Sequence, residues 1–321
     1  MCYSAMIWAD YRQYLKLTKS KLGVKDFLEI FWWRYDPDQI YAMRKVRVPK
    51  ALERAFMDPD PFDPDQVEIK RLIDAYYARQ ESIWAEELRD QSARLDKAER
   101  LLAAKPDSKT GLNEKRVATN KIDQYRGWLD DIHRTEPRSG DSRIFPGSYA
   151  PVLVWEDGQR VIKPMRYHCR PQGVAPDFDV KFPGCYNARR NNLGKFWRNQ
   201  FGHKHAVMVV ERFFENVERT RPDGKKYNTV LEFKPADNEP MFVACVWSRW
   251  SGKGEPDLQS FAAITDEPPP EVAAAGHDRC IVPIQREHID RWLQPDPGDL
   301  AAMYAILDDR ERPYYEHRQA A

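Results

Sequence analysis

The sequence predicts an α+β fold in which a long α-helical hairpin is inserted into a β-rich core. Two periodicities predict it: apolar residues recur at threes and fours from about 67 to 134, and short apolar or β-branched runs bounded by turn residues follow Gly140. Composition is the third observation. Hydrophobic residues make up 42% and charged residues 31% of 321, with 24 Pro and 10 Trp, which excludes a disordered, collagen-like or membrane-spanning chain. That length suits about two domains, or one domain carrying a large insertion.

Read in order, the start M-C-Y-S-A-M-I-W-A-D-Y turns charged before an apolar run long enough for a signal sequence or a spanning helix. The expectation is a cytoplasmic chain with no membrane partner. Cys2, Cys169, Cys185, Cys245 and Cys280 are scattered and odd in number, so they are expected as reduced thiols, the four internal ones as small buried hydrophobes. Asp63-Pro64-Asp65 opens a helix whose apolar stripe runs Ile69, Leu72, Ile73, Tyr76, Ile83, Trp84, Leu88, Leu95, Ala98 and Leu102. Pro106 and Gly111 interrupt it, and Leu112, Val117, Ile122, Tyr125, Trp128, Leu129 and Ile132 mark a second helix. Residues 63–134 are therefore an antiparallel hairpin, and their mixed-sign charge fits a protein-contact arm better than a DNA-binding one.

Strand-length runs then follow at Ala150–Trp155, Val161–Met165, Ala206–Val210, Thr229–Phe233, Met241–Trp247 and Phe261–Thr265. Asp157-Gly158 and Pro222-Asp223-Gly224 are the turns of two hairpins. Pro268-Pro269-Pro270 breaks the series, and a last helix at about Gln285–Leu293 precedes a C-terminal tail. No internal repeat is visible.

Lys plus Arg is 51 against 50 for Asp plus Glu, a net charge of +1, so a nucleic-acid partner must be held by a local patch. The best patch is Tyr186 to His205, which has no acidic residue. There Arg189, Arg190, Lys195, Arg198 and Lys204 alternate with Tyr186, Phe196, Trp197 and Phe201, offering phosphate contacts beside rings for unpaired bases; a basic face packed by aromatics has the same composition. Cys2 is the second candidate. Removal of Met1 would put an α-amine and a thiol on one residue, with reference pKa values of roughly 8 and 8.5, and such a pair captures an aldehyde as a thiazolidine. Third, Glu211 and Glu215 flank Phe213 and Phe214, where burial would raise a carboxyl pKa for acid-base work. His277 is a further proton carrier. His168, Cys169, Cys185, His203 and His205 match no zinc spacing, and no metal is expected. Motifs for nucleotide hydrolysis, dinucleotide binding and serine hydrolysis are absent from the sequence.

Taken in order, Met1-Cys2, Arg143-Ile144-Phe145-Pro146-Gly147, Asn187-Ala188-Arg189, Phe213-Phe214-Glu215, Ala263-Ile264-Thr265 and His277-Asp278-Arg279 resemble the SOS response-associated peptidase (SRAP) family. The resemblance covers residues 1–4 and about 142–294, leaving 5–141 as a mainly helical insertion and 295–321 as a tail. It implies a barrel-like core of antiparallel and mixed sheets. It also implies covalent capture of abasic sites in single-stranded DNA, an autopeptidase and lyase-like chemistry needing no metal or organic cofactor. By the same resemblance Cys2 is the nucleophile, Asn187 holds the N-terminus and the opened sugar, Arg189 binds phosphate, Glu215 is the acid-base group and His277 assists. The family's Gly-Arg after Cys2 is Tyr3-Ser4 here, its acidic residue is Asn191, and its Met-Pro is Cys280-Ile281. With serine at position 4 in place of the family's arginine, Arg190 or Arg198 is expected to bind the phosphate instead. Two other readings share Cys2 or the basic segment: an N-terminal-nucleophile amidotransferase or hydrolase, and a non-catalytic single-strand-binding module.

Overall fold

The structure, a computed structural model, describes residues 3–36, 46–252 and 255–320, so Cys2 lies outside the described residues. The chain divides into two compact units, Met1–Val67 with Ser139–Ala321, and Glu68–Arg138. The first unit thus takes in residues 5–67, a stretch expected to belong with the helical insertion.

The reason is packing near the chain start. Strand β1 (Ser4–Ile7) is fully buried, and helix α1 (Tyr11–Thr18) follows it, capped by Asp10, which accepts from the Arg12 N–H at 2.9 Å. A short β2 (Lys21–Leu22), α2 (Val24–Tyr35) and α3 (Lys50–Arg54) complete this stretch. Tyr11, Phe27, Phe31 and Phe56 form one buried ring cluster. Tyr14 fastens α1 to the core, donating to the Pro151 carbonyl at 3.0 Å and accepting from the Val209 N–H at 2.9 Å.

The second unit is built on α4 (Pro64–Ala104) and α5 (Lys109–His133), with Ser108 as the N-cap of α5. Contacts between Arg94 and Glu114, Glu99 and Lys115, Glu87 and Tyr125, and Trp84 and Trp128 run in opposite directions along the two helices, giving the expected antiparallel hairpin. Exposed ion pairs contribute little, so the buried Ala98, Ala118 and Ile122 and the Trp84–Trp128 contact carry the packing of one helix on the other.

Beyond the hairpin come β3 (Arg143–Ile144), β4 (Tyr149–Glu156), β5 (Gln159–Tyr167), α6 (Phe178–Lys181), β6 (Asn187–Arg189), β7 (His205–Thr220), β8 (Lys226–Pro235), β9 (Met241–Gly252) and β10 (Glu255–Asp266). The turn between β4 and β5 has Asp157 and Gly158 both at positive φ, 49° and 76°, as a two-residue hairpin demands. Pairing runs β4 to β5, β5 to β10, β10 to β9, β9 to β7 and, through Leu153 opposite Val207, β7 back to β4. The circuit is closed, a mixed-sheet barrel. Strand β7 outruns it: residues 205–210 pair with β9, and 213–220 pair with β8. β1 lies along the junction, with Ser4 opposite Phe214 and Ala5 opposite Phe213, and β3 pairs on its far side.

The chain then forms α7 (Pro270–Ala274), β11 (Cys280–Ile281), α8 (Ile289–Leu293), α9 (Leu300–Asp308) and β12 (Tyr315–Gln319). Residues 295–321, expected as a tail, include an edge strand: β12 pairs with β8 from Tyr315 opposite Pro235 to Gln319 opposite Leu231. Cys169, Cys185, Cys245 and Cys280 are free and buried, and burial pushes the Cys185 thiol to about 11 and the other three higher. Among the described residues no helix is long and apolar enough to cross a membrane.

Candidate functional site

Glu215 sits on β7 just past the barrel, where side chains alternate between faces of the sheet. It shares its face with Phe213, which stacks on Phe233 at 5.1 Å, and its side chain is 1% exposed or less. Burial pushes the carboxyl up to about 8, against the nearby Tyr3 backbone amide, which favours the charged form. The carboxyl is therefore mostly protonated at neutral pH.

His277 reaches this carboxyl from the loop between α7 and β11, its Nε2 3.2 Å from Glu215 Oε2. Its Nδ1 lies 2.9 Å from the Arg279 carbonyl oxygen, which can only accept, so Nδ1 carries the hydrogen. Burial pushes the imidazole down, leaving it neutral with Nε2 as the acceptor. One proton, resident on Glu215, is thus shared by the two groups. The loop is held close to β7 in two ways. Arg219 donates to the Ala275 carbonyl at 3.1 Å, and Gly276, at φ +99°, lies where a Cβ would come within 2.9 Å of Val217.

A second cluster forms where β6 and β11 flank β10. Asn187 is opposite Ala263, Arg189 opposite Thr265, and Thr265 opposite Ile281. The pleat puts Asn187, Arg189 and Thr265 on one face, and Arg279, two residues before Ile281, joins them. The resulting cleft of about 450 Å³ is lined by Arg189, Arg190, Asn191, Thr265, Asp266, Glu267, Arg279, Tyr304 and Arg310. Its positive charge is partly cancelled: Arg310 pairs with Asp266 at 2.6 Å, and Arg190 pairs with Asp308 and, at 3.7 Å, with Asp266. Asn187 is 6% exposed, and neither its amide nitrogen nor its amide oxygen has a hydrogen-bond partner among the described residues. A buried amide left so costs roughly 1–3 kcal/mol, which a bound group would recover.

The expected site residues therefore separate. Glu215 meets His277, and Arg189 lines the cleft with Asn187 buried beside it on the same sheet face, while no hydrogen bond among the described residues joins Asn187 to Glu215. Cys2 lies outside the described residues. Lys195 and Arg198 are exposed, but Trp197 is 3% exposed and packs into the core, so it offers no ring to a base; the exposed aromatic of that segment is Phe196 at 45%. Arg190, expected as a phosphate contact, is held by two aspartates. Sequence reasoning assigned no role to Thr265, Arg279 or Arg143, although all three stand in quoted motifs, and it missed Arg310 altogether.

Among solved structures, a protein of Bordetella bronchiseptica is similar at 18% identity over 56% of this chain and 87% of its own, with a TM-score of 0.44. A protein of Bacteroides thetaiotaomicron matches at 14% identity over 60% and 82%, with a TM-score of 0.46. A phage-related protein of Bordetella bronchiseptica matches at 16% over 56% and 81%, with a TM-score of 0.42. No curated protein matches. The family model described as SOS response associated peptidase (SRAP) matches residues 113–319, more than half of the sequence, and runs past the motifs through α9 and β12. The chain belongs to the SOS response associated peptidase family.

Proposed function

We propose that this chain captures abasic sites in single-stranded DNA covalently through Cys2 and shields the lesion as a DNA-protein crosslink. The observation that carries the reading is the Glu215–His277 pair: a carboxyl protonated near neutrality, 3.2 Å from a neutral imidazole, with the Tyr3 backbone amide near enough to favour its charged form. Tyr3 is the residue bonded to Cys2. With Met1 removed, Cys2 presents an amine and a thiol together.

An abasic deoxyribose opens to an aldehyde, whereas a sugar that keeps its base does not, so selectivity needs no base readout. Glu215 gives its proton to the ring oxygen as the sugar opens, and the proton that the anomeric hydroxyl loses is taken up by the neutral Nε2 of His277 and passed back to Glu215. The Cys2 amine adds to the aldehyde carbon, the carbinolamine loses its hydroxyl as water, and the thiol adds to the imine carbon to close the five-membered ring. One water leaves, and the electrons balance without an oxidant or reductant. Asn187 holds the N-terminus and the opened sugar through its partnerless amide, and Arg189 binds the neighbouring phosphate. The hairpin of α4 and α5, with charges of both signs on its surface, serves as a protein-contact arm.

The test is denaturing gel electrophoresis of the Met1-processed protein mixed with single-stranded DNA bearing one abasic site. A heat-resistant shifted band that requires both the lesion and Cys2, and is lost in Cys2→Ala, is the expected result. Absence of the band, with Met1 removal verified by mass spectrometry, overturns crosslinking in favour of simple single-strand binding.

A further inference from the structure

On the face of the sheet opposite Glu215, the end of β1 is covered by one arginine. Arg143 stands on β3, its guanidinium 3.7 Å from the centre of the Phe214 ring and 5.0 Å from that of Phe145. Two of its N–H groups donate to the buried Ser4 hydroxyl, from Nε at 3.1 Å and from Nη2 at 2.9 Å. A guanidinium carries five N–H donors, so three remain, and no carboxylate lies within ion-pair range of them among the described residues. The neighbouring arginines differ. Arg212 and Arg318 both bond Glu232, at 3.0 and 3.1 Å.

This arrangement is not that of a freely solvated surface cation. Ring stacking removes water from the guanidinium plane, burial lowers its pKa, and the Ser4 hydroxyl is a neutral acceptor that fixes orientation without cancelling charge. A cation so placed has been partly desolvated at a cost that an anion in its open fork would offset. Beside it the Tyr3 ring is 42% exposed and meets Phe145 edge-on, with centroids 5.7 Å apart and planes at 71°. Fixed cation and supported open ring together match one nucleotide step of an unpaired strand: a phosphate for the fork and a base for the ring.

We infer that Arg143, positioned by Ser4, Phe214 and Phe145, is a phosphodiester ligand for a single strand crossing the end of β1, and that Tyr3 is the ring on which a base of that strand stacks. The inference rests on the proposed single-strand reading and names the contact that holds the strand beyond the captured sugar. Arg143 is a positioning residue and takes no part in bond making.

The experiment measures equilibrium binding of a single-stranded oligonucleotide carrying a tetrahydrofuran abasic analogue, which has no aldehyde, across a series of salt concentrations. Each phosphate contact on a single strand contributes about 0.7 to the slope of log affinity against log salt. Arg143→Gln is expected to reduce the slope by about 0.7, Arg143→Lys to keep it, and Tyr3→Leu to weaken binding roughly tenfold with the slope unchanged. Ser4→Ala, which leaves the charge in place and removes only its anchor, is the second probe should Arg143→Gln fail to fold; several-fold weaker binding supports the inference and unchanged binding overturns it. An unchanged slope in folded Arg143→Gln also overturns it. Because the analogue cannot crosslink, that result leaves the crosslinking gel with natural abasic DNA as an independent test of covalent capture.

Discussion

Glu215 concentrates the cost of the site in one side chain. A carboxyl at about 8 in the folded chain and near 4.5 in the unfolded chain binds its proton more tightly when folded. Its contribution to stability is complete below pH 4.5 and is lost as pH rises from there through 8, because the unfolded state releases the proton first. The loss is on the order of 5 kcal/mol at most. Glu215→Gln keeps a donor toward His277 Nε2 and has no proton to lose. We therefore expect its melting temperature to exceed that of the wild type by several degrees at pH 8.5 and by much less at pH 5. Thermal unfolding at the two pH values checks this, and a difference that does not grow with pH contradicts the buried, protonated carboxyl. The same variant should form adduct more slowly, since an amide cannot donate its proton to an opening sugar. Stability gained where chemistry is lost is the expected signature of a functional group held in a costly state.

Among the elements, β12 has the largest consequence for its length. It pairs with β8, and the Tyr315 ring, 3% exposed, closes over Phe213 at 5.2 Å while the Tyr315 N–H donates to Glu271 at 3.0 Å. Truncation after Asp309 would expose the Phe213–Phe233 stack and the β8 edge together. We expect a loss of roughly 3–5 kcal/mol and self-association, read by thermal unfolding with light scattering; a truncated chain that melts like the full one would show that β12 is dispensable. The strand was illegible in sequence because Tyr315-Glu316-His317-Arg318-Gln319 carries one apolar residue, so no alternation can be seen. β1 was missed for a related reason, being four residues long and recognisable only by its partners β7 and β3. The long helices and barrel strands were legible because many residues repeat one period, although β7 was read only as far as Val210. Beyond it charged Glu211, Arg212, Glu215 and Glu218 blur the apolar pattern, and pairing with β8 decides the strand. Within the site, the order of the motifs pointed to Glu215 and His277, but their meeting depends on a loop pressed against β7 by Arg219 and Gly276. Trp197 was misjudged because composition cannot say which ring of a basic segment faces the core.

At the scale of the whole chain, net charge of +1 leaves little long-range attraction for DNA, so binding must come from fixed clusters such as Arg189 with Arg279, and Arg143. Both clusters belong to the unit formed by Met1–Val67 and Ser139–Ala321, while Glu68–Arg138 has its own buried Ala98, Ala118 and Ile122 and its own Trp84–Trp128 contact. Units with separate cores unfold as separate cooperative transitions when little of their stability is shared. A ligand that binds only one of them raises that transition alone, by about 2.7 kcal/mol at a hundredfold excess over Kd. Calorimetry with helical ellipticity followed in parallel is expected to resolve a helix-dominated transition from a sheet-dominated one. Single-stranded DNA carrying the tetrahydrofuran analogue should move the sheet-dominated transition upward and leave the other where it was. If the helix-dominated transition moves as far, the hairpin binds DNA directly, and its reading as a protein-contact arm falls. If only the sheet-dominated transition moves, residues 68–138 are left free for a different partner while the barrel holds the strand.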